Sequence, residues 1–175
     1  MSRIPAPDPG ADPAPWEPLM RLALEEARDA AGAGEVPVGA LVVSEAGEIL
    51  ARRHNEREGR SDPTAHAEML AISDAARILG DWRLGGCSVV VSLEPCPMCA
   101  GALVAARAAR VVFAASDPKA GACGSLYNIC ADPRLNWELE VIGGVLSQEA
   151  GQVLSEFFSS RRRPSGAPGA MPGTT

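Results

Sequence analysis

Two short stretches of this chain hold the residue types, at the spacing, that metal-assisted hydrolysis needs: His66 and Glu68 in Ala65-His66-Ala67-Glu68, and Cys96 and Cys99 in Pro95-Cys96-Pro97-Met98-Cys99. A catalytic zinc ion takes three protein ligands from His, Cys and carboxylates and keeps its fourth position for water. Cys96 and Cys99 stand three apart at the start of an expected helix, so both sulfurs face one side. The helix N-terminus also favours thiolate, the form that binds metal. His66, one of only two histidines in the chain, completes the set. Water on such a metal loses a proton near neutral pH, because its pKa falls to about 7 in favourable cases. Glu68, beside an apolar helix face, is placed to take that proton and hand it to a ring nitrogen of a substrate.

Regular elements must hold these residues in place. Leu19, Leu22, Ala23, Ala27 and Ala30 recur at helical spacing from Trp16 until Gly32 and Gly34 stop the pattern. Residues 38–43 and 49–53, joined by Glu45-Ala46-Gly47-Glu48, read as a β-hairpin, and a polar loop follows over 54–63. A helix is expected over 65–79, with Met69, Leu70, Ile72 and Ala76 on its apolar side and Gly80 as its stop. Residues 87–92 read as a buried central strand and 97–106 as a helix. A strand over 110–114, a glycine-rich loop over 116–124, a fifth strand over 139–142 and a helix over 148–162 complete the chain. This alternation demands an α/β fold: a central mixed five-stranded sheet covered by helices on both faces, in three α/β/α layers.

At 175 residues, with 46% hydrophobic and 22% charged residues, the chain is expected to form one globular domain over 16–163. The Pro-, Ala- and Gly-rich ends, 1–15 and 164–175, are expected to be disordered tails. No stretch reads as a signal peptide or a membrane span, so the expected location is the cytoplasm, where thiols stay reduced. Cys87, Cys123 and Cys130 have no partner at metal spacing and are expected to be buried thiols. His54 is expected to be structural or exposed. Tyr127 and Trp137 read as core or interface residues, with base stacking as the alternative. A net charge of −6 gives no overall push toward nucleic acid. Arg161, Arg162 and Arg163 are a local exception, although on their own they also suit a solvated helix end, where the macrodipole favours cations.

H-x-E followed by P-C-x-x-C is the signature of zinc deaminases that act on nucleobases. Each half alone would be weak, since C-x-x-C also fits a redox pair or half of a structural zinc ribbon. The chain further resembles the bacterial tRNA-specific adenosine deaminases, of the cytidine/deoxycytidylate deaminase superfamily, from about Trp16 to Arg163. The resemblance rests on Glu35-Val36-Pro37-Val38-Gly39-Ala40, Asp62-Pro63-Thr64-Ala65-His66-Ala67-Glu68 and Leu93-Glu94-Pro95-Cys96-Pro97-Met98-Cys99-Ala100-Gly101-Ala102. It continues through Asp117-Pro118-Lys119, Gly121, Gly124-Ser125-Leu126 and Phe157-Phe158.

The resemblance implies a cytidine-deaminase-like fold, a homodimer with one zinc per subunit, and conversion of the wobble adenosine in an arginine tRNA anticodon to inosine. It implies that Asn55 hydrogen-bonds the flipped base, that Val38 and Leu93 wall its pocket, and that Asp117 lies beside the sugar and backbone of the target nucleotide. It makes Arg161, Arg162 and Arg163 contacts to tRNA phosphate. On the residues alone, Asn55 and Asp117 are equally good turn formers, and Gly121 and Gly124 are either turns or points where the backbone approaches the substrate closely. Two other functions compete: a deaminase of a free base or nucleoside, which would share every zinc residue, and a non-catalytic zinc module. Glu68, which no structural zinc site requires, speaks against the second.

Overall fold

The computed structural model describes residues 13–162, the side chain of Arg162 excepted. Most of the expected tails, 1–12 and 164–175, and Arg163 lie outside the described residues. A 3-10 turn at Ala14–Trp16 runs into α1 (Glu17–Gly32). The chain continues through β1 (Gly39–Val43), β2 (Ile49–His54), α2 (Arg57–Arg60), α3 (Ala67–Leu79), β3 (Ser88–Leu93), α4 (Pro97–Ala105), β4 (Arg110–Ala115), β5 (Glu140–Ile142) and α5 (Ser147–Arg162).

The strands form one sheet in the order β2-β1-β3-β4-β5. β1 runs antiparallel to β2 and β3, while β3, β4 and β5 are parallel, so the sheet is mixed and five-stranded as the alternation of elements demands. Central strands that read as continuous apolar runs are buried on both faces. Period-2 alternation then divides their side chains between two cores. Ala40, Val42, Val89, Val91, Val111 and Phe113 face Ala67, Ala71 and Ala75 of α3 and Ala100 and Leu103 of α4. Leu41, Val43, Val90, Val112 and Ala114 face Met20, Ala23 and Leu24 of α1 and Ala150 of α5. Helices therefore cover both sides, which is the three-layer arrangement. No helix among the described residues is long and apolar enough to cross a membrane.

Two local features differ from the sequence reading. The polar loop over 54–63 contains the short helix α2, which closes on Ser61 at φ 50°. α3 turns its alanine stripe inward, burying Ala67, Ala71 and Ala75, while Met69, Leu70, Ile72 and Ala76 stay half-buried. Short side chains on the inner stripe let the helix lie close to the sheet, and the larger residues then fill its flanks. As expected, Gly80 closes α3, in the left-handed conformation at φ 67°.

The opposite layer is as close at Gly39, the first residue of β1. A Cβ there would lie 2.1 Å from the Ala23 carbonyl oxygen and 2.7 Å from the Ala27 backbone nitrogen, both on α1. Gly39→Ala must therefore push α1 off the sheet. The expected cost is about 1–3 kcal/mol, the range for overpacking a filled core. Thermal or urea unfolding of the variant against the parent checks it.

Candidate active site

Strand register brings the chemistry-bearing residues to one edge of the sheet. β1 and β2 pair Gly39 with His54, so Val38 and Asn55 leave the hairpin side by side, and the Asn55 N–H donates to the Val38 carbonyl at 2.9 Å. β1 and β3 pair Ala40 with Val91, which sets Leu93 at the same end, and the Gly39 N–H donates to Ser92 Oγ at 3.0 Å. The parallel partner β4 ends there too, with Ala115 beside Leu93, and delivers Asp117. α3 and α4 begin at this edge, with His66 and Cys96 as their N-caps. One recess is accordingly lined by Val38, Asn55, His66, Glu68, Leu93, Cys96 and Asp117, with Val36, Arg57 and Ala120 at its wall.

The donor set fits zinc. His66 Nδ1 stands 3.7 Å from Cys96 Sγ and 3.6 Å from Cys99 Sγ, and the three ligand atoms all lie within 4.8 Å of one another. Bonds of about 2.3 Å to sulfur and about 2.0–2.1 Å to nitrogen, at a tetrahedral angle, give a sulfur–nitrogen edge of about 3.6 Å. The observed spacings match that edge. Cys96 is also prepared as a ligand: the Cys99 thiol donating to it, helped by His66, pulls its pKa down to about 4 despite partial burial. Glu68 is buried beside this cluster, and desolvation raises its carboxyl above the ordinary value, with its own backbone N–H and His66 opposing. A carboxyl in that environment holds a proton more readily than one in water.

Two further buried carboxylates shape the recess, and the sequence reading gave neither a role of its own. Glu94, 3% exposed, accepts from the backbone N–H groups of Asp117 at 2.9 Å, Cys123 at 3.0 Å and Ser125 at 3.0 Å, and from the Ser125 hydroxyl. It thereby folds the 117–125 loop around itself. The loop packs so closely that a Cβ on Gly121 would lie 2.3 Å from Glu94 Oε2 and 2.6 Å from the Asp117 carbonyl oxygen. Glycine is required at 121 by its close approach to Glu94, a reason apart from both a turn and an approach to substrate. Glu35, also 3% exposed, accepts from Asn55 Nδ2 at 3.0 Å and from the N–H groups of Glu58 at 3.1 Å and Gly59 at 2.6 Å. Backbone partners of this kind leave no trace in sequence spacing. The one available signal was an acidic residue inside each apolar motif, Glu35-Val36-Pro37-Val38 and Leu93-Glu94-Pro95.

The remaining candidates are placed as follows. Asp117 lines the recess and also caps its own turn, accepting from Lys119 N at 2.9 Å and Ala120 N at 3.2 Å. Arg161 lies away from the recess: its guanidinium donates to the Gly34 carbonyl and sits 4.6 Å over the Phe157 ring. It shares a separate surface hollow with Lys119, Ser155 and Phe158. The Arg162 side chain and Arg163 lie outside the described residues. His54 is half-buried, its Nδ1 3.1 Å from Glu26 Oε2. Cys87, Cys123 and Cys130 are buried free thiols. Tyr127 is 58% exposed and is no core residue: it lies in the tight turn just after the loop that Glu94 gathers, where the Gly124 N–H donates to its carbonyl at 2.7 Å. Trp137 also lies at the surface, its indole N–H donating to the Ala108 carbonyl at 2.7 Å.

A mixed sheet with one His and two Cys converging on a buried glutamate, at the N-termini of two helices, defines a zinc-dependent hydrolytic deaminase of nucleobases. Comparison with known proteins agrees. The profile described as the cytidine and deoxycytidylate deaminase zinc-binding region matches residues 15–115. A tRNA-specific adenosine deaminase of Bacillus subtilis is 50% identical over 147 residues, 84% of this chain and 91% of its own length. A structure solved in a study of A-to-I editing by tRNA:A34 deaminases at the wobble position of transfer RNA has a TM-score of 0.74 at 41% identity, covering 77% of this chain and 97% of that one. A guanine deaminase from Nitrosomonas europaea aligns with a TM-score of 0.72 at 27% identity, over 90% of this chain and 87% of its own. The chain belongs to the tRNA-specific adenosine deaminases, within the cytidine and deoxycytidylate deaminase family. It is an enzyme, and its cofactor is zinc, one ion per chain.

Removing one sulfur should empty the centre without unfolding the sheet. Cys96→Ala is expected to lose most of its zinc while keeping the far-ultraviolet circular dichroism of the parent. Metal analysis after gel filtration checks this, and full zinc in the variant rules out Cys96 as a ligand.

Proposed function

We propose that the protein converts the wobble adenosine of a tRNA anticodon, in an arginine tRNA, to inosine, with release of ammonia. The observation that carries this reading is the shared recess: the His66, Cys96 and Glu68 cluster opens into the same hollow as Asn55, Val38, Leu93 and Asp117. Its walls suit a flat base, with apolar side chains at Val38 and Leu93 and an amide at Asn55 that offers one acceptor and two donors. A base reaches such a hollow only when flipped out of its stack. The name of the Bacillus subtilis relative and the subject of the tRNA:A34 deaminase structure support tRNA as the substrate and its wobble position as the site. The enzyme would act in the cytoplasm.

His66, Cys96 and Cys99 hold the zinc, which when bound supplies the Lewis acidity that makes water nucleophilic near neutral pH. Val38 and Leu93 hold the purine so that its C6 faces the centre. Glu68 takes a proton from the attacking water and delivers it to the adjacent ring nitrogen. It then carries the second proton to the departing amino group, so that adenosine and water become inosine and ammonia. Burial suits Glu68 to this work, because it must hold a proton between the two transfers. Asp117 lies toward the sugar and backbone of the target nucleotide.

We propose that the RNA outside the recess is held by Arg161, Arg162 and Arg163. Lys119 beside Arg161 in the surface hollow adds a second cation there and supports this reading. A homodimer is part of the proposal. The exposed pair Leu126 and Tyr127, 52% and 58% accessible just after the 117–125 loop, is the apolar surface that supports it. Light scattering should give twice the chain mass.

The reaction is tested with an anticodon stem-loop carrying adenosine at the wobble position, beside free adenosine, adenine, guanine and cytosine. Inosine should form in the stem-loop alone. Turnover of guanine with an unchanged stem-loop would move the protein to the free-base deaminases. Glu68→Ala should keep zinc and fold and lose roughly two to four orders of magnitude in rate; a variant within a few-fold of the parent refutes the proton-transfer role. Replacing Arg161, Arg162 and Arg163 with alanine should weaken tRNA binding and flatten its salt dependence by about 0.7–0.9 per lost phosphate contact. Coincident slopes would assign the arginines to a solvated helix end.

A further inference from the structure

We propose that Glu35 is a positioning residue for the deamination, acting through Asn55. The inference rests on the reading above, in which Asn55 contacts the base. Glu35 itself stands outside the recess lining.

Glu35 is mounted rigidly. Its backbone N–H donates to the Ala30 carbonyl at 2.9 Å, which ties it to the end of α1, and the carbonyl just before it, on Gly34, is held by Arg161. Its carboxylate is buried and satisfied by three donors: Asn55 Nδ2 and Glu58 N on one oxygen, Gly59 N on the other. Both Glu35 oxygens act as acceptors, one toward the Glu58 N–H and the other toward the Gly59 N–H, so the Asn55 amide presents its nitrogen to Glu35. That choice fixes which end of the amide, Oδ1 or the second N–H, points where in the recess. Without Glu35 the two ends are nearly equivalent in shape, and a base would meet donor and acceptor in either order.

The same carboxylate also sets the turn that begins α2. Glu58 and Gly59 follow Arg57, whose side chain reaches the recess wall. One buried group thus holds both the amide and the rim beside it, from a residue 20 positions before Asn55 in the chain.

The test is a double-mutant cycle of Glu35→Gln and Asn55→Ala, with kcat/KM on the wobble-adenosine stem-loop, zinc content and melting temperature measured for all four proteins. Gln is close to Glu in shape but carries one oxygen where Glu35 carries two, so it cannot accept from Asn55 Nδ2 and from the Gly59 N–H at once, and the amide orientation is no longer enforced. Each single variant is expected to keep its zinc and lose about 10- to 100-fold in kcat/KM, the range for one misplaced or missing hydrogen bond. In the Asn55→Ala background, Glu35→Gln should cost less than about threefold, because its target is gone. Equal losses in both backgrounds would mean that Glu35 only stabilises the fold and would overturn the inference. So would a Glu35→Gln enzyme with parental kcat/KM beside an impaired Asn55→Ala. If Asn55→Ala is itself unimpaired, the assignment of Asn55 to the base fails first, and this inference with it. Where Glu35→Gln melts below the assay temperature, Glu35→Asp, which keeps the charge but draws it one methylene back from Asn55, replaces it in the cycle with the same outcomes.

Discussion

The catalytic edge depends on how β3 is paired, antiparallel to β1 on one side and parallel to β4 on the other. Antiparallel pairing brings the start of β1 to the end of β3, so Val38 and Leu93 become neighbours although 55 positions separate them in the sequence. Parallel pairing brings the end of β4 there as well, with the loop after it. Helices that follow or precede these strands must begin at the same edge, which is why two N-caps, His66 and Cys96, face each other. Ligands in open α/β sheets gather beyond the carboxyl ends of parallel strands for this reason. Here a hairpin closes the far side and turns a crevice into a walled recess.

A recess built from the ends of strands and helices leaves many backbone N–H groups without regular partners, and buried groups of that kind must be satisfied. Two glutamates meet the requirement. Glu94 gathers three N–H groups and a hydroxyl from the loop after β4, and Glu35 gathers two N–H groups and the Asn55 amide from the loop after β2. Each carboxylate is taken out of water, and its hydrogen bonds offset that cost only while all of them are made. Shape on both sides of the recess therefore rests on buried carboxylates surrounded by loop donors.

Much of this was legible in the sequence, for reasons that can be named. Metal ligands are recognised by residue type and spacing, so His66, Cys96 and Cys99 are legible without a fold, and the structure adds that Glu68 is buried beside them. The five strands and four longer helices were legible because their apolar periods differ and glycines punctuate them. α2 was not, since four polar residues carry no period. The inner face of α3 was misread because large apolar residues mark a helix more loudly than alanines, and close packing on a sheet selects the alanines. Glu35 and Glu94 went unassigned because their partners are peptide groups, which every residue has. The contact of Arg161 with Gly34 joins residues 127 apart and has no local signature.

The close fit of Gly121 under Glu94 bears on how the enzyme can change over generations. No side chain fits at 121 without displacing the carboxylate that the loop is wrapped around, so heritable variation in substrate range cannot enter through that position. Val36, Val38, Leu93 and Ala120 line the same recess with apolar side chains, where a swap alters volume and leaves no buried donor unsatisfied. Fixed and freely variable positions thus adjoin each other along the wall, Leu93 beside Glu94 and Ala120 beside Gly121. A lineage drifting toward smaller or larger bases would record that history in the apolar wall, while its glycine and two glutamates stayed the same.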